Sequence, residues 1–249
     1  MNLEILAINP GGGSTKIGLF RVLEGDRLEE RWRESIRHSY EDIKPFPSAA
    51  SQGAFRRQAV ADGCARRGLD PAHLAAVVGR GGPLKPLMSG VYPVTPRMLR
   101  DISQGQVQAD HPSLLGAILA HEIAQPLGIP AYIVDPVCTD EMLDEARISG
   151  LPGIPRVSLT HALNIKAMCR RAAKALNREY EAINLVAVHM GSGLSVAAHQ
   201  QGRMIDLNDS SSEGPFGTQR AGGVPARGLL RWVFQEGLTL EEAEAHLMR

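Results

Sequence analysis

Apolar positions along this chain follow two periods. LEILAIN (3–9) is a short apolar run and IGLFRVLE (17–24) a looser one, and both are strand-like. Between them stand Gly11, Gly12 and Gly13, followed by Ser14, Thr15 and Lys16. The glycines predict a tight loop, because glycine takes positive φ without steric cost. The strand–loop–helix phosphate motif reads GxxxxGK[ST]. Here Lys16 has no glycine before it and strand-like text follows, so the prediction is a glycine-rich β-hairpin with a further turn at 24–26. The same layout returns in INLVAVHMGSGLSVAAHQQGRMIDL (183–207): strand, glycine loop, strand, turn at Gln201 and Gly202, strand. Two such patterns suggest an internal duplication.

Helical periods fill the rest. SQGAFRRQAVADGCARRG (51–68) predicts a helix ending at Gly68, and Thr95 followed by Pro96 starts a short one, since proline is tolerated at the first helical position. Asp110 and Pro112 introduce a segment whose Leu114, Leu115, Ile118, Leu119 and Ile123 form an apolar stripe. THALNIKAMCRRAAKAL (160–176) predicts another helix, and Thr239 with Glu242 has capping-box spacing before AEAHLM. AAVVGRGG (75–82) and PAYIVDPV (130–137) read as buried parallel strands, so strand and helix alternate in an α/β fold. Glycine and proline break the helical text at LPGIPR (151–156), which places the expected domains at 1–155 and 156–249.

Composition narrows the function. Lys plus Arg and Asp plus Glu number 27 each in 249 residues, so formal charge is zero and nothing electrostatic marks a nucleic-acid or anionic-membrane partner. Cys64, Cys138 and Cys169 are scattered without a CxxC pair, which argues against a disulfide framework and a zinc site. No apolar run approaches the ~20 residues of a bilayer span. The acid at Glu4, with no basic-then-apolar leader, predicts no secretory signal. The expectation is a soluble cytoplasmic protein acting on small molecules.

Several residues carry candidate chemistry. A loop such as 11–16 can turn backbone N–H groups toward phosphate, with Ser14, Thr15 and Lys16 adding donors and charge; a plain glycine turn is the alternative. The second loop, His189-Met190-Gly191-Ser192-Gly193, favours phosphate, since two converging hairpins would clamp a polyphosphate. SSSEGPFGTQRAGGVP (210–225) is long for a bland loop and contains Arg220, whose guanidinium can fork onto a carboxylate or phosphate. Arg80 follows a buried strand, where ligands of α/β sheets bind. Asp135 ends the strand AYIV and His161 opens the 160–176 helix. Read alone, each arginine is more often a solvated surface charge, Asp135 a turn or capping residue, and His161 a packed histidine.

Taken together, ILAINPGGGSTKIGLF, GRGGPLKP, PAYIVDPVCTDEMLDEARISGLPGIPR, THALNIKA, NLVAVHMGSGLSVAAHQQGRMIDLND and EGPFGTQRAGGVP resemble the butyrate kinases. These form part of the acetokinase branch of the ASKHA superfamily, the duplicated ribonuclease H-like fold of actin, heat-shock chaperones and sugar kinases. The resemblance runs the whole chain in order. It implies ATP/ADP and Mg²⁺ as cofactors and a reversible phosphoryl transfer from ATP to a short-chain fatty acid, giving an acyl phosphate. It implies phosphate contacts at Asn9, Gly11, Gly12, Gly13, Ser14, Thr15, Lys16, His189, Gly191, Ser192 and Gly193. Arg80 and Arg220 match the pair on the carboxylate and transferring group, and His161 the histidine on the phosphoryl oxygens. Asn9, Asp135 and Asp206 match positions near the metal. Chains of the family extend past this terminus, so the resemblance implies an incomplete second domain. It also implies a homo-oligomer. Acetate, propionate or branched-chain acids as substrates, or a truncated noncatalytic remnant, are the alternatives.

Overall fold

The computed structural model describes residues 3–191, 193–209 and 211–248. Contacts divide the chain into two compact units, Met1–Cys138 and Thr139–Arg249. The stretch 151–156 lies inside the second unit. Its neighbours hold it there: Arg156 donates to the carbonyl of Ala146, and Met142 belongs to the second unit's core.

In the first unit, β1 (Glu4–Pro10), β2 (Ser14–Val22) and β3 (Leu28–Arg37) form an antiparallel meander. β4 (Leu74–Arg80), β5 (Val91–Pro93) and β6 (Ala131–Val134) extend it into a six-stranded sheet of order β3-β2-β1-β4-β6-β5. β1, β4 and β6 run parallel, as the buried apolar runs predict, and β5 runs antiparallel at the edge. Alternation along β1 buries Glu4, Leu6, Ile8 and Pro10. Helices α1 (Tyr40–Ile43), α2 (Gly53–Arg66), α3 (Pro96–Ser103) and α4 (Leu115–Ala124) lie between the strands in sequence. Leu6, Ile8, Ile17, Leu19 and Val77 of the sheet meet Val60 and Cys64 of α2 and Leu115, Leu119 and Ala120 of α4 in one core. Thr95 caps α3 ahead of Pro96, accepting from the Met98 N–H at 3.2 Å.

The glycines around Arg80 have a packing cause. A Cβ on Gly79 would collide with the Gly116 carbonyl, and one on Gly116 with the Arg80 carbonyl. A Cβ on Gly82 would lie 2.6 Å from the Leu114 nitrogen. Helix α4 and the end of β4 touch backbone to backbone, which only glycine permits.

The second unit repeats the opening pattern of the first. β7 (Asn184–Met190), β8 (Leu194–Gln200) and β9 (Arg203–Leu207) form an antiparallel three-stranded sheet, with a glycine loop between its first two strands. Helix α5 (Ala162–Ala175) covers one face, where Ala162, Ile165, Cys169 and Ala173 meet Ala197, Met204 and Leu207. Beneath that core, Lys166 Nζ lies 2.6 Å from Glu141 Oε2, which also accepts from the Met204 N–H. Residues 211–225 contain no helix or strand; α6 (Ala226–Glu236) and α7 (Leu240–Leu247) follow, α7 opened by the Thr239–Glu242 capping box. No helix among the described residues is long and apolar enough to cross a membrane.

Candidate functional site

The first candidate centre lies at the carboxyl end of the parallel strands. β1 ends beside Asn9, β4 at Arg80 and β6 just before Asp135. Strand alternation places Asn9 and its cross-strand partner Lys16 on one face, both exposed. Arg80 Nη1 lies 3.5 Å from Asn9 Oδ1. Burial holds the Arg80 guanidinium below its ordinary value, and it remains charged at neutral pH.

The glycine loop takes a different form from the one its composition predicts. None of Gly11, Gly12 and Gly13 has positive φ, and a Cβ on Gly12 would meet nothing within 4 Å. The fold does not demand glycine at these positions. The loop closes with a 2.7 Å bond from the Gly11 N–H to the Ser14 carbonyl, and the His38 N–H reaches the Gly13 carbonyl at 2.9 Å. Among the described residues, the N–H groups of Gly12 and Gly13 make no hydrogen bond.

Thr15 departs from its expected role. It is fully buried on the opposite face from Lys16, and its Oγ1 accepts from Arg56 and lies 2.9 Å from His38 Nε2. Burial, then the Arg56 charge, pushes the His38 imidazole down toward its neutral form. The hydroxyl is therefore spent beneath the loop, not offered to a phosphate.

The expected metal positions differ in their surroundings. Asp135 is 2 % exposed, with φ of 36°, and its Oδ1 accepts from Ser89 Oγ at 2.7 Å and the Gly90 N–H at 2.9 Å. Asp206 is ion-paired to Arg156 at 2.9 Å. Among the described residues, no group of three or more His, Cys, Asp or Glu side chains is placed to hold a metal. The Asp135 carboxylate is committed to Ser89 and Gly90, whereas Asn9 is exposed and the Asp206 side chain is half-exposed beside Arg156.

The second centre lies where α5 begins and the β7–β8 loop ends. Alternation puts His189 and Ser195, cross-strand partners, on the face that α5 covers. His161, immediately before α5, stacks on His189 with centroids 3.9 Å apart. Its Nδ1 lies 2.9 Å from Ser195 Oγ, and Asn164 Nδ2 lies 2.9 Å from His189 Nδ1. A Cβ on Gly193 would sit 3.1 Å from Arg220 Nη1 and 3.2 Å from His161 Cε1. The structure thus gathers His161, His189, Gly193 and Arg220, residues spread over sixty positions of sequence; Gly191 adjoins them, and Ser192 lies outside the described residues.

The loop carrying Arg220 is strapped in place. Arg156 Nε reaches Glu213 Oε2 at 3.1 Å, and Asn208 Nδ2 donates to the carbonyls of Leu194 and Glu213. The Gly217 N–H bonds the Arg220 carbonyl at 2.9 Å, fixing the backbone beside the guanidinium.

Pattern reading missed Arg56, Arg156, Asn164 and Ser195. One signal was present for Arg56: it shares the buried stripe of α2 with Val60, Gly63 and Cys64, at spacings of four, seven and eight. Ser195 likewise alternates with Ala197 and His199 on the buried face of β8. Nothing in the sequence marked Asn164 or Arg156.

Known proteins resemble this chain in sequence and in fold. Residues 155–247 match the model of the acetokinase family. Butyrate kinase 1 of Clostridium acetobutylicum is 46% identical over 240 residues, covering 96% of this chain and 66% of the relative. A probable butyrate kinase of Clostridium botulinum is 43% identical over 243 residues, covering 97% of this chain and 67% of that relative. The acetate kinase of Porphyromonas gingivalis has the same fold, with a TM-score of 0.70 at 18% identity over 99% of this chain and 68% of its own. The chain therefore spans about two thirds of the length of the relatives it matches. With that fold and these identities, this chain belongs to the acetokinase family, alongside the butyrate kinases.

Proposed function

We propose that this chain is a carboxylate kinase that moves the γ-phosphoryl group of ATP to butyrate, giving butanoyl phosphate and ADP, and that it runs in either direction. The convergence of Arg220 and His161 on Gly193 carries the reading. A carboxylate is already a nucleophile at neutral pH, so no strong base is required. The obstacle is anion approaching anion, and catalysis of such a transfer rests on positioning and charge neutralisation.

Each group has a task in this scheme. Arg80 steers the fatty acid carboxylate, and Arg220 spreads its charge over the group in transfer. His161, its rotation set by Ser195, donates to a phosphoryl oxygen. The open amides of Gly12 and Gly13 and the exposed Lys16 receive nucleotide phosphates, with the second loop doing the same in its own unit. A magnesium ion in such reactions is bound largely by phosphates and water, with one or two protein oxygens; Asn9 is the donor here suited to it. Cytoplasmic location and self-association belong to the same proposal.

The test traps the product. With ATP, butyrate and hydroxylamine, an acyl phosphate is converted to a hydroxamate. The proposal expects butyrate-dependent hydroxamate, with acetate and isobutyrate as competitors for preference. Nucleotide binding with no hydroxamate from any of the three acids would favour a noncatalytic nucleotide-binding role.

A further inference from the structure

Arg56 lies outside the motifs that carry the sequence resemblance, yet it is deeply engaged in the first unit. It is 0 % exposed. Nη1 donates to the carbonyls of Gly11 at 2.8 Å and Ser14 at 3.2 Å, and Nη2 to the carbonyl of Gly12 at 2.8 Å. Nη1 also reaches Thr15 Oγ1 at 3.1 Å, while Nε and Nη2 grip Gln52 Oε1 from the helix side at 3.0 and 2.8 Å. Among the described residues no carboxylate pairs with it. A buried charge is ordinarily matched by an opposite one.

The grip fixes a direction. In a trans peptide the C=O and the following N–H point opposite ways across one plane. The Gly11 carbonyl shares its plane with the Gly12 N–H, and the Gly12 carbonyl with the Gly13 N–H. Drawing both carbonyls toward Arg56 turns those two N–H groups away from it, and they are the two left without a partner.

We propose that Arg56 is a positioning residue for nucleotide binding. Its fork aims the Gly12 and Gly13 amides at the polyphosphate, and its unpaired positive charge lies on the far side of the loop from that anion. The inference rests on the reading of residues 11–16 as a phosphate loop. It also explains three glycines that neither backbone angle nor crowding requires, since a bare backbone lets an anion approach closely.

The experiment is calorimetric titration of ATP and of inorganic pyrophosphate into the 249-residue chain and its Arg56→Met and Arg56→Lys variants, with melting curves in parallel. Arg56→Met is expected to bind both ligands about tenfold more weakly, the scale of a lost charge-assisted contact. Arg56→Lys keeps the charge without the fork and is expected to lose about threefold or more while still folded. If Arg56→Met does not fold, Arg56→Lys decides alone. A folded variant that binds both ligands as wild type does would overturn the role of Arg56 and leave the phosphate loop standing. Failure of the wild-type chain to bind either ligand would overturn the loop reading, and the role of Arg56 with it.

Discussion

His161 and His189 lie face to face, their ring planes within 8° of parallel. One ring comes from the residue before α5 and the other from β7, and each is fixed by a hydrogen bond at Nδ1. A ring so held meets a reacting oxygen without reorganising, which is how preorganised donors lower a barrier. His161→Ala is expected to lower butyrate-dependent turnover by about 10²–10³-fold. Ser195→Ala, which frees only the ring's rotation, is expected to lower it about tenfold while leaving ATP affinity unchanged. Hydroxamate formation and ATP titration, run on both variants, check the pair.

Gly193 has both catalytic candidates of the second unit where a side chain would project. The methyl of Gly193→Ala would press on the Arg220 guanidinium and the His161 ring, tighter than ordinary contact. Turnover is expected to fall steeply, with stability changed by about 1 kcal/mol, because the Arg220 guanidinium is the end of a flexible side chain and gives way more easily than the held His161 ring. Equal turnover in Gly193→Ala would show that these groups do not act at that position.

Gly79 and Gly12 predict opposite outcomes. Gly79→Ala drives a methyl into the Gly116 carbonyl, and overpacking against backbone is expected to cost about 3 kcal/mol. Gly12→Ala meets no atom and no left-handed angle, so its stability is expected to match or exceed wild type by up to about 1 kcal/mol, with ATP binding weakened. Urea denaturation distinguishes a glycine kept for the fold from one kept for a ligand.

His199 gives the fold a pH dependence. Burial, and then the Lys166 charge, pushes its imidazole down from 6.5 to about 4. Tyr180 Oη faces its Nδ1, and its buried Nε2 has no partner among the described residues. The unfolded chain therefore takes up a proton near pH 6.5 that the folded chain refuses until about 4. Stability from this group is full above 6.5 and falls as pH drops from 6.5 to 4, by up to about 3 kcal/mol. Melting temperatures over that window should fall less in His199→Gln than in wild type. Parallel curves would contradict the assignment.

Much of this was legible in the text. Apolar runs flanking glycine loops in 3–24 and 183–207 announced both hairpins, and Lys16 without a preceding glycine, followed by strand-like text, argued against a strand–loop–helix phosphate motif. Caps at Thr95 and Thr239 placed α3 and α7, because local hydrogen bonds at a helix start are written in adjacent residues. Contacts over long separations were not legible. Arg56 reaches Gly12 across 44 positions and Arg156 reaches Asp206 across 50, and no local period encodes either. The same limit hid the commitment of Thr15 and Asp135, whose residue types suit a ligand as well as they suit Arg56, Ser89 or Gly90.

The central claim is tested most directly in the ATP-forming direction. ADP and butanoyl phosphate are mixed with the chain, and ATP is read by luciferase, for wild type and for Arg80→Ala and Arg220→Ala. The account predicts ATP from wild type and a loss of about 10²-fold or more in each variant. No ATP from wild type, or equal ATP from either arginine variant, would contradict it.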